Sequence, residues 1–102
     1  MKEIRLIPAL ELGNKLNVDV MDFPDGKAEP GAKERRRCAI TVDYGPRDVR
    51  ELKERGLDTE GMLEYYRKRI YDLVKVNISQ DWECVGGMEE VLQIVEKHLL
   101  KD

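Results

Sequence analysis

Serine and histidine are almost missing from this 102-residue sequence: Ser79 and His98 each stand alone. A hydrolytic triad needs a hydroxyl, an imidazole and an acid held together, with the nucleophile on a tight turn. Ser79 has no glycines beside it, and His98 falls near the end of a C-terminal helical pattern, where a cation offsets the helix dipole. Only two cysteines occur, Cys38 and Cys84, far apart and without a C-x-x-C pair. That spacing excludes a recognisable zinc site and a disulfide framework, and it predicts buried free thiols in a reducing compartment. Neither G-x-G-x-x-G nor G-x-x-x-x-G-K-[ST] is present, so no nucleotide cofactor is expected. Long apolar runs are missing too. The stretch Leu6–Leu10 falls far short of the roughly 20 residues that a span requires, and the first residues turn polar at Lys2 and Glu3. A cytoplasmic location without membrane contact is expected.

Charge is abundant instead. Asp, Glu, Lys and Arg make up 38% of the chain, 18 basic against 21 acidic, for a net charge of −3. Leu, Ile, Val and Phe number 27 of 102, enough for one small core under an ionic surface. The whole chain, residues 1–102, therefore reads as a single domain.

Strand signals come first. Ile4 and Leu6 alternate with charged residues until Pro8, which is expected to end the strand. Leu16, Val18 and Val20 mark a second strand running to about Phe23. Residues 24–34 hold two prolines and two glycines but no large apolar residue, the composition of a mobile loop. Cys38, Ile40, Val42 and Tyr44 give the clearest alternation in the chain, read as a central strand. Asp19, Asp22 and Asp25 lie near the end of the second strand without the D-x-D-x-D-G pattern of a calcium loop, and read as solvated carboxylates. No metal is expected.

Helical periodicity follows. Pro46 suits a first helical position, Gly56 a left-handed C-terminal cap, and Asp58 the cap of a second helix. Leu57 is spaced to pack on both helices. Met62, Leu63, Tyr66, Ile70, Leu73 and Val74 line one face of that second helix, which extends to about Asn77. Trp82 and Cys84 form a short strand, and Val91, Leu92, Val95 and Leu99 mark a last helix after Gly86-Gly87. The order βββααβα predicts an α+β, two-layer domain: a three- to four-stranded, mostly antiparallel sheet packed by three helices.

No motif assigns chemistry, so function is read from the surface. Tyr65 and Tyr71 fall off the apolar stripe of the long helix, beside Arg67; tyrosine and arginine are enriched where proteins meet. These three residues are the expected partner-binding surface of a small, non-enzymatic regulatory module that acts through protein–protein contacts and self-associates, with the 24–34 loop as a flap. The partner itself is not legible. A second reading uses the basic excess of residues 33–77, twelve basic against nine acidic, for nucleic-acid binding through Arg35, Arg37, Arg47 and Arg50. Interleaved acids and a pI near 5.3 oppose it. A third is a small enzyme whose carboxylate and tyrosine site is completed at a dimer interface; a cleft lined by perturbed acids would be its mark.

Overall fold

The computed structural model describes residues 1–100. Its elements follow the expected order: β1 (Lys2–Leu12), β2 (Lys15–Asp22), β3 (Arg35–Asp43), α1 (Pro46–Glu54), α2 (Thr59–Asn77), β4 (Trp82–Gly86) and α3 (Met88–Leu99). The strands form one mixed sheet in the order β3-β2-β1-β4. Antiparallel ladders join β1 to β2 and β2 to β3, while β4 runs parallel to β1. The helices cover one face, as an α+β two-layer domain requires.

The sheet departs from the sequence reading in two places. Pro8 does not end the first strand, which continues to Leu12 through a bulge between Pro8 and Leu10. β4 reaches only Lys2–Arg5, so beyond that point β1 has a free side, where proline's missing N–H costs no ladder bond. The strand read as central, β3, is an edge strand paired only with β2. Alternation reports which residues are buried but not how many neighbours a strand has. The centre belongs to β1 and β2, because the chain's last strand adds beside its first.

The bulge has a larger consequence. Ile4 and Leu6 face the helices, Arg5 and Ile7 the opposite side. Simple alternation would then send Leu10 and Leu12 inward. The extra residue reverses the phase, as a one-residue slip must. Leu10 and Leu12 instead stand opposite Asn17 and Lys15 on the helix-free face, and Glu11 stands opposite Leu16 on the helix side.

Under the covered face, Ile4, Leu6, Leu16, Val18, Val20, Ile40 and Val42 meet Met62, Tyr66, Ile70 and Val74 of α2 and Val91, Leu92, Val95 and Leu99 of α3. Full burial of each such aliphatic side chain contributes about 1.5–3 kcal/mol. Where β4 stops, α3 takes over alongside β1. Gly87, with φ +91°, lies so close to the Leu6 carbonyl that a Cβ there would sit 1.8 Å from its oxygen. At the other end of α3, His98 stacks on Tyr44 with ring centroids 4.2 Å apart and places Nε2 3.2 Å from Glu11.

The helix–helix corner forms as its residues dictate. The Leu57 N–H donates to Leu52 O and the Gly56 N–H to Lys53 O, with Gly56 at φ +82°. This pair of bonds is the Schellman ending. Asp58 then accepts from the Gly61 N–H at 2.7 Å and caps α2.

Asp22 is a further correction: it is a buried carboxylate, not a solvated one. It lies on the core side of β2, across from Ile4 and Arg35. Arg35 Nε donates to its Oδ1 at 3.1 Å, and Lys2 Nζ lies 3.3 Å from Oδ2. Burial is tolerable because the charge is paired from both neighbouring strands.

Candidate functional site

Of the residues expected to bind a partner, Arg67 and Tyr71 come together and Tyr65 does not join them. Tyr71 and Arg67 border a shallow cleft with Cys84, Gly86 and Met88. There Tyr71 stacks on Trp82, centroids 4.9 Å apart. Arg67 donates to Glu89 at 2.6 Å and pairs with Glu64 at 3.4 Å; the bond to Glu89, more than any other influence, holds its proton more firmly still. Its guanidinium is thus already engaged. Tyr65 faces the other flank of α2, packed edge-on against Tyr66. Tyr65 and Tyr71 are both exposed, and Tyr65 borders a cleft with Thr41 and Asp43 of β3.

The four arginines of the nucleic-acid reading divide between the ends of β3. Arg35 stands at its start and is tied to Asp22, and Arg37 occupies the extra position where β3 slips against β2. Arg47 and Arg50 belong to α1, beyond the strand's other end, and Arg47 pairs with Glu51. Eight residues of strand put roughly 27 Å between Arg35 and Asp43, so the four do not form one compact patch. The 24–34 loop is pinned over the helix-free face: Glu3 accepts the Ala28 N–H, and Arg5 pairs with Glu34 at 3.4 Å while lying 5.5 Å from the Phe23 ring centroid.

Two features escape sequence reasoning. One is an apolar strip on the helix-free face of the β1–β2 hairpin, where Ile7, Leu10 and Leu12 are 37%, 51% and 60% exposed. The other is a cleft of about 230 Å³ between β3, α1 and α2. Asp43 closes β3 and Asp48 opens α1, and the Gly45-Pro46 turn folds one back toward the other. Asp43 Oδ1 accepts the Gly45 N–H at 2.9 Å. Desolvation, a hydrogen bond with Asp43, and the negative charges of Asp43 and Glu51 raise the Asp48 carboxyl above the ordinary aspartate range, against the pull of Arg47. Tyr66 also lines this cleft. Its hydroxyl is buried and has no hydrogen-bond partner, and burial, then Asp48, pushes its ionisation well above that of a free phenol. The sequence signal for the cleft was available: two aspartates five apart across a strand–Gly-Pro–helix turn.

Among the described residues, no group of three or more His, Cys, Asp or Glu side chains stands close enough to hold a metal ion, and no helix is long and apolar enough to cross a membrane. No family, curated protein or solved structure matches this chain.

Proposed function

We propose that this protein is a small, non-enzymatic binding module that acts through protein–protein contacts and associates with itself. The observation that carries this reading is the apolar strip of Ile7, Leu10 and Leu12. A strand that turns three large aliphatic side chains to solvent gives up part of its possible core burial, and a bulge is spent on doing so. Such a strip is the usual centre of a protein contact when polar residues rim it, and Lys15, Asn17 and Asp19 lie across from it on β2. A domain of this size has little core to spare, and association returns the lost burial. The exposed Tyr65 and the Arg67–Tyr71 cluster on α2 then remain for a second contact, on the opposite side of the molecule.

Sedimentation across a wide concentration range tests the reading. A reversible dimer is expected for the unaltered chain, and the combination Leu10→Asp with Leu12→Lys should weaken it at least tenfold while leaving the circular dichroism spectrum of the folded chain unchanged. A monomer at the highest concentration reached would end the self-association proposal, as would a dimer indifferent to both substitutions.

A further inference from the structure

The cleft between β3, α1 and α2 shares only the Tyr65 ring with the contact surfaces just described, and it concentrates polar groups of both signs. Asp43 and Asp48 border it together; Asp43 Oδ1 accepts the Gly45 N–H, and neither carboxylate forms an ion pair among the described residues. Arg55, at the end of α1, and Arg69 of α2 border the same cleft as these acids and form no ion pair among the described residues. Tyr66 borders the cleft as well, and its hydroxyl is buried without a hydrogen-bond partner. A buried hydroxyl left unbonded costs free energy, and each such group calls for an explanation in terms of a bound molecule or ordered water.

We propose that this cleft binds a small dipolar molecule carrying a primary ammonium and a carboxylate, in the manner of a free α-amino acid. Asp43 and Asp48 receive the ammonium, Arg55 and Arg69 the carboxylate, and the Tyr66 hydroxyl bonds the ligand. Charge arithmetic favours a dipolar ligand over a simple ion. A lone cation would meet two guanidiniums, and a lone anion would meet the paired aspartates and Glu51. A zwitterion satisfies both kinds of charge and brings no net charge of its own. Size agrees as well: about 230 Å³ lies below the roughly 300–1,000 Å³ of sites for drug-sized ligands. Leu52 and the Tyr65 ring supply apolar surface at the border for a side chain.

Binding should also displace a proton. Asp48 keeps its proton to higher pH than an ordinary aspartate, with Asp43 and Glu51 acting in that direction and Arg47 against it. An arriving ammonium needs the ionised carboxylate, so affinity rises with pH through the acid range and levels off once Asp48 is ionised. Tyr66 takes no part in this titration, because its ionisation lies far higher.

The test uses three isosteric probes followed by amide NMR: L-leucine, 3-methylbutylammonium, which lacks the carboxylate, and 4-methylpentanoate, which lacks the ammonium. L-Leucine is expected to shift the Gly45 amide saturably, with both half-probes at least tenfold weaker. Tyr66→Phe should bind at least fivefold more weakly while unfolding at the same temperature or higher, since it removes only an unpartnered hydroxyl. Asp48→Asn should weaken binding and flatten its pH dependence. Absence of a saturable response to L-leucine would overturn the proposal. So would a half-probe that binds as tightly as L-leucine, or a Tyr66→Phe chain with unchanged affinity.

Discussion

Asp22 shows how a single buried charge fixes the meeting of three strands. Its two partners differ from it in exposure: the side chains of Lys2 and Arg35 are 19% and 59% accessible, whereas that of Asp22 is fully enclosed. The consequences of mutation should therefore be unequal. Asp22→Ala releases two cations that can return to water, and a loss of about 1–3 kcal/mol is expected. Replacing Lys2 and Arg35 together by Ala strands the carboxylate, and about 3–5 kcal/mol is expected, the range for breaking a buried pair. Urea unfolding of the two variants measures the difference; equal losses would mean that Asp22 finds another partner.

The thiols make a second residue-scale case. Burial, the leading influence on both, pushes Cys38 and Cys84 above the ordinary thiol range, and backbone hydrogen bonds only partly offset this at Cys84. The thiolate is the reactive form. Alkylation by iodoacetamide at pH 7.5 should thus be slower than that of a free cysteine, and it should accelerate as pH rises beyond 9. Rapid alkylation of either residue at neutral pH would contradict the burial argument.

At the scale of elements, the junctions matter more than the elements themselves. The α1–α2 corner is local, and Gly56, Leu57 and Asp58 announce it because every partner lies within a few residues. The β4–α3 junction is different. Gly86-Gly87 marks a turn in the sequence, but what makes glycine necessary at 87 is the Leu6 carbonyl, which belongs to the far end of the chain. A methyl group cannot enter that space, and φ +91° disfavours any side chain. Gly87→Ala should cost about 3 kcal/mol or more, whereas Gly26→Ala, with open space around its Cβ position, should cost about 1 kcal/mol. Thermal denaturation of the pair checks this, and comparable losses would refute the close approach.

For the whole molecule, the decisive contact is between its ends. β1 is flanked by β2, its neighbour in sequence, and by β4, which arrives after α1 and α2. No part of the sheet carries its own cover: β1 to β3 expose an apolar face until α2 and α3 pack on it. A fragment of residues 1–45 is therefore expected to remain unfolded, and the intact chain to unfold in one cooperative step. Circular dichroism of the fragment settles the point; a sheet spectrum with a melting transition would show an independent unit.

Sequence periodicity alone determined the seven elements, their order, the two-layer class and the inward faces of both long helices, because these depend on contacts within a turn or two of chain and on the separation of apolar from polar residues. It also identified Tyr65 and Tyr71 as residues off the buried stripe. Tertiary structure decided the rest: that β3 lies at an edge, that β1 passes through Pro8 and reverses the facing of Leu10 and Leu12, that Asp22 is enclosed, and that Asp48 and Tyr66 share a cleft. Each of these depends on which strand or helix lies alongside, and pattern within a segment carries no record of its neighbours, since the same alternation serves a strand with one partner or with two.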